Sequence, residues 1–282
     1  MQSTGILLLV CAGLAVASCK RNAAHARDER VVPDAGFAQE LSLPASEVAR
    51  VLNPGHLAAY TGPVGSVEGD VLVDGDPPDQ AIVAAPCPEA QAVYGSRYRQ
   101  DTQGNQRFLA DAIVGVTGYS VFVPQRAQAV TVHIDGCTMD QRTLVLTFGQ
   151  RLDIVNRNPP SPQNFYALSL ERSSQNMVLM ATPGGDPAHA YPGKPGRDRL
   201  LDKLAHPYLA ADVFVVPSPL FAVTSRVGHF RIDYVPVGKV SVSTTHPSFD
   251  DGVTDSKEVS VAEGKTTHVE LRLSYKSAAP TK

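Results

Sequence analysis

FAVTSRVGHFRIDYVPVGKVSVSTTHPSF, residues 221–249, is the stretch that decides the fold. Phe230, Ile232 and Tyr234 alternate with polar neighbours, and after Pro236 and Gly238 the alternation resumes at Val240 and Val242. A period of two with one apolar side is the signature of a half-buried strand, and glycine with proline between two such runs marks a reversal. The same pattern recurs outward in both directions. Val130, Val132 and Ile134 form one apolar set, Leu144, Leu146 and Phe148 a second, and Val269, Leu271 and Leu273 a third. Short strands separated by turn residues, in a chain with 22 Gly and 22 Pro, predict an all-β protein built from sandwiches rather than a parallel α/β sheet. Short helices are expected at 42–53 (SLPASEVARVLN, with Ser42 and Pro44 at its start), within PEAQAVYGSRY (88–98) and at RLLDKLAH (199–206).

At the other end of the chain, Ile6 to Ala17 form one apolar run, and Val16, Ala17 and Ser18 place small residues before Cys19. The run is too short to span a membrane and reads as a signal sequence, cut before Cys19, whose thiol then takes a lipid anchor. MQSTG departs from the pattern by lacking a basic residue, and a plain secretory signal cut elsewhere is the alternative. Residues 1–18 are thus the expected signal peptide, 19–60 a polar tether, and 276–282 a tail. This places the protein on a bacterial envelope membrane, and Lys20 after the lipid-bearing cysteine leans toward the outer one. The formal charge of −3 and the interspersed charges exclude the basic stripe of a nucleic-acid groove. The partners this leaves are the membrane, through the anchor, and an unidentified envelope protein.

With Cys11 in the signal and Cys19 lipidated, Cys87 and Cys137 remain, and in an oxidising compartment they are expected to pair, two buried free thiols being the alternative.

A boundary falls at Pro217–Pro219, where VVPSPLF makes a stiff extended joint. Beyond it, Gly228, Phe230, Ile232, Val235, Pro236 and Gly238, followed by EVSVAEGKTTHVELRL, resemble the carboxypeptidase regulatory-like, transthyretin-like domain, an accessory module without peptidase chemistry. Before it, residues 134–168 and KLAHPYLAADVFVV (203–216) resemble cupredoxins of the plastocyanin-like or methylamine-utilisation-like kind. The resemblance implies a cupredoxin-like domain over 61–216 and a regulatory-like sandwich over 217–275. It also implies where copper ligands should be. Cupredoxins use two histidines, a thiolate and a weak methionine. Gln163 stands in the place of the first histidine, and Lys203, His206 and Leu209 in the places of C-x-x-H-x-x-M, so three of the four positions carry residues that cannot serve. No bound metal or other cofactor is expected.

Other chemistry finds little foothold. The histidines form neither H-E-x-x-H nor H-x-H, and no G-x-S-x-G elbow, P-loop or G-x-G-x-x-G is present. Asp250, Asp251 and Asp255 surround a glycine without the order of an EF-hand and read as a solvated loop. The expected role is therefore non-catalytic, a structural or partner-binding module with a degenerate cupredoxin site. Two alternatives stand beside it: copper-binding electron transfer built on His206, and glycan or adhesin-like binding through Tyr166, Tyr191 and Tyr208.

Overall fold

The computed structural model describes residues 43–75, 87, 102–103, 106–172, 178–204, 206, 208–249 and 254–275. The signal peptide, Cys19 with the first part of the tether, the 88–98 helix, Asp250, Asp251 and the tail lie outside the described residues. One α-helix is described, α1 (Ala45–Leu52), and the rest of the regular structure is β apart from a single 3-10 turn at Pro162–Asn164. In chain order the strands are β1 (Val64–Asp74), β2 (Thr102–Gln103), β3 (Gln106–Arg107), β4 (Ile113–Thr117), β5 (Ala129–Asp135), β6 (Thr138–Met139), β7 (Thr143–Thr147), β8 (Arg151–Asn156) and β9 (Tyr166–Leu170). They continue as β10 (Leu179–Ala181), β11 (Ala188–Ala190), β12 (Gly196–Asp202), β13 (Ala210–Val216), β14 (Phe221–Val223), β15 (His229–Pro236), β16 (Gly238–Thr245), β17 (Thr254–Val261) and β18 (Thr266–Ser274). No described helix is long and apolar enough to cross a membrane.

The all-β expectation holds, in two sandwiches. The first faces a five-stranded sheet, β10-β9-β12-β13-β7, with a four-stranded one, β11-β8-β5-β6. The second faces β15-β1-β18 with β14-β4-β16-β17. Most pairings are antiparallel, but β1 with β18, β7 with β13 and β5 with β8 run parallel, because the connections cross from one sheet to the other.

The expected boundary between 61–216 and 217–275 does not describe the packing. Val67, Val71 and Val73 of β1 and Leu109, Ala112, Val114 and Val116 around β4 share one core with Phe230, Ile232, Val240, Val242 and Leu271. The second sandwich is therefore discontinuous: it takes two strands from before the first sandwich and closes with the strands after Pro219. The physical reason is size. A 59-residue segment cannot cover two apolar sheet faces alone, and β1 supplies the middle strand of one sheet. Gly69 marks how tightly that strand is held, since an added Cβ would lie 1.7 Å from the Val269 carbonyl oxygen. Gly69→Ala is accordingly expected to cost about 2 kcal/mol, read as a lower denaturant midpoint at unchanged slope.

Three further expectations are corrected. The tether was expected to run to residue 60, but Leu43, Val48, Val51 and Leu52 pack on the first core, and Val48 sits so close to Gly149 that a Cβ there would meet it at 2.6 Å. An amphipathic helix of about two turns buries its stripe when an apolar face is within reach. RLLDKLAH is not a helix: Gly196–Asp202 is strand β12, with Leu200 between Leu170 and Ala211, so lateral pairing overrides the helix-forming leucines. Finally, Tyr234 does not share the buried face of Phe230 and Ile232. It is 47% exposed and has φ +64°, while Val235 takes the inward place. The register of β1 with β15 shifts between Gly65 and Val67, where Asp233 and Tyr234 oppose the single residue Ser66. That extra residue is a β-bulge, and it turns every side chain beyond it to the other face.

The sandwiches are joined by more than the Pro217–Pro219 link. Arg142 of the first pairs with Asp111 of the second, and Arg197 donates to Asp212 Oδ1 at 3.0 Å and to the Pro247 carbonyl at 2.6 Å. Thr143, Val145 and Thr147 on the outward side of β7 are all buried, which explains why that strand shows no exposed face.

Candidate functional site

Two segments singled out in the sequence meet at one end of the five-stranded sheet. The turn carrying Gln163 leads into β9, and the loop after β12 carries Lys203, His206 and Leu209. β9 and β12 are antiparallel with Leu168 opposite Asp202, and the Lys203 N–H donates to the Ala167 carbonyl at 2.8 Å, so the start of one strand lies beside the end of the other.

His206 is the centre of this end. Its Nδ1 lies 2.5 Å from Asp202 Oδ2. Asp202 Oδ1 accepts the Ala167 N–H at 2.8 Å, and the carboxylate has 0% side-chain exposure against 25% for the imidazole. A carboxylate accepts, so Nδ1 carries the hydrogen and Nε2 faces away from Asp202. Tyr166 and Tyr208 stand edge-on to the imidazole, with ring centroids 5.1 and 5.7 Å from it. Burial, with the Asp202 charge nearby, holds both phenols above their ordinary value, so they stay protonated donors.

The other expected positions serve structural ends. Gln163 is exposed, and its amide oxygen accepts the Ser161 hydroxyl at 2.5 Å. Lys203 is exposed. Leu209 has 0% exposure and belongs to the first core; its N–H donates to the His206 carbonyl and its carbonyl accepts from the Asp202 N–H, which closes the loop. Tyr191 is not at this end. It hydrogen-bonds Arg151, at the far end of β8 from Asn156, whose amide reaches the Asn164 and Ala181 carbonyls.

The expected pairing of cysteines is present: Cys87 and Cys137 are bonded, with Cα atoms 5.9 Å apart. Their bridge lies beside the same end of the sandwich. Gly136 exchanges two 2.7 Å hydrogen bonds with the Asn158 side chain, and its carbonyl also accepts the Tyr166 hydroxyl at 3.0 Å. The hairpin that carries Cys137 thus buttresses the ring that touches His206.

The copper that the resemblance implies does not fit these residues. Both sulfurs of the described cysteines are spent on each other, Leu209 is a core side chain, and no group of three or more His, Cys, Asp or Glu among the described residues is placed to hold a metal. Asp202, Asn158 and Gly136 were missed in the sequence. An i, i+4 spacing of aspartate and histidine was the available signal for Asp202.

No protein-family profile matches the chain, and no curated protein sequence does. Solved structures do. Amicyanin from Paracoccus versutus is 17% identical, with 32% of this chain and 84% of that one covered at a TM-score of 0.26. A copper-containing nitrite reductase from Thermus scotoductus is 15% identical, with 36% of this chain and 25% of that one covered at 0.28.

Proposed function

We propose that this protein is a non-catalytic, lipid-anchored module of a bacterial envelope, whose first sandwich keeps a cupredoxin-like frame without copper and offers its His206 end to a protein partner. The observation that carries this reading is the use already made of each donor: the thiols form a bridge, and the one histidine leans on a buried carboxylate of its own loop. The anchor rests on the run before Cys19. At this end His206 presents Nε2, and Phe165, Met180 and Leu204 are exposed on the segments that lead into β9, along β10 and out of β12. Exposed aromatic and aliphatic side chains with a few polar groups among them suit protein recognition.

A carboxylate bonded to one imidazole nitrogen also orients histidines that bind metals through the other. This favours a second reading, metal handling through Nε2. Copper titration followed by metal analysis separates the two. The proposed role gives no stoichiometric copper and no intense blue absorption, and His206→Ala lowers stability by less than about 1 kcal/mol. Stoichiometric metal that disappears in His206→Ala would establish the second reading instead.

A further inference from the structure

A separate cleft lies between the two sandwiches, independent of the His206 end. It encloses about 500 Å³, in the size range of small-molecule sites. Val130 and Val145 of the first sandwich form one wall, and Leu220, Phe221 and Val223 the other. Exposed Arg126 and Tyr234 also line it, with Asp233 beside Tyr234.

Three features set this cleft apart from a packing seam. Tyr234 sits on the bulge of β15 in a left-handed conformation that an aromatic residue rarely adopts, and the bulge turns its ring out of the core to the rim. The Arg126 guanidinium lies over that ring, 3.2 Å from its centroid, and no carboxylate among the described residues is within ion-pair distance of it. The charge therefore stands beside the cleft held by a ring, while the carboxylate in the lining, Asp233, is engaged by Ser66 and Arg231. The third feature is Gln125, another lining residue, whose amide oxygen is buried with no hydrogen-bond partner among the described residues. Buried acceptors are almost always answered by a donor.

We propose that the cleft binds an amphipathic acid. Its acyl or aryl body lies against the valine and leucine walls, its carboxylate meets Arg126, and the Gln125 amide, whose oxygen no partner holds, turns to accept an N–H or O–H group near the carboxylate. An N-acyl amino acid has this chemistry, with an apolar chain, one amide N–H and one anionic end.

Titration calorimetry of the full chain with N-decanoylglycine and with its methyl ester tests this. The ester keeps the chain and the amide but not the charge. Saturable one-to-one binding of the acid is expected. Arg126→Ala should weaken it about tenfold, the worth of a single charge-assisted contact, and leave ester binding unchanged. Arg126 is exposed, so its removal does not threaten the fold. Val223→Phe, which fills the cleft, should abolish binding of both ligands, with thermal melting confirming that it folds. Absence of saturable binding overturns the proposal. So does an Arg126→Ala variant that binds the acid as wild type does, or loses ester and acid alike.

Discussion

Removing the Cys87–Cys137 bridge, by reduction or by Cys87→Ala with Cys137→Ala, is expected to lower stability by about 4 kcal/mol. The bond closes a loop with a sequence separation of 50, and fixing such a loop in the unfolded chain restricts it by about that amount on the loop-entropy model. The folded state feels the loss too. Cys87 is fully buried in the first core, and Cys137 anchors the hairpin whose Gly136 carbonyl receives the Tyr166 hydroxyl. Guanidinium unfolding with and without reductant provides the measurement. A fall in midpoint with a steeper slope is expected, because the unbridged unfolded chain exposes more surface, whereas a loss below about 1 kcal/mol would mean that the loop is already restrained by other contacts.

What the sequence made legible follows from what is local. Alternation over five residues reports a half-buried strand directly, so Val132 and Ile134, Leu144 and Leu146, and Val269, Leu271 and Leu273 all lie inward as their spacing predicts. The features that the sequence hid are those set by distant partners. β1 joins the second sandwich because of its parallel pairing with β18, 200 residues later, and no pattern within 61–216 announces that. The bulge at Tyr234 depends on where β15 meets Ser66. RLLDKLAH has helical residues but lies between β9 and β13, which dictate an extended chain. At the His206 end, the loop was recognisable by its residues, but the reason for its shape was not. Leu209 occupies a position that a metal ligand would take in the resembling family, yet its side chain fills the core. Asp202, one residue from a position singled out for its lost ligand, is the group that organises the loop.

That places the second large effect at Asp202. Asp202→Ala is expected to cost about 3 kcal/mol, several times the cost of His206→Ala, although the two side chains share one hydrogen bond. The asymmetry comes from burial and partners. His206 is a quarter exposed, so water takes the place of the imidazole beside Asp202 when the ring is cut away. Asp202 has no exposure, and its second oxygen receives the Ala167 N–H inside the sheet, where the β9–β12 pairing ends. Alanine at 202 leaves that N–H unanswered in a buried setting, leaves the imidazole without its partner and opens a small void. Asp202→Asn separates these contributions. Its amide oxygen can still accept from Ala167, but its amide group faces Nδ1 as a donor, so the loop survives only if the ring adopts the other tautomer. Denaturant unfolding should therefore rank wild type above His206→Ala, then Asp202→Asn, then Asp202→Ala. In a double-mutant cycle, His206→Ala should recover only a minor part of the Asp202→Ala loss. Equal costs for the two alanine variants would show instead that the ion pair itself, rather than the buried carboxylate on the sheet backbone, holds this end of the first sandwich.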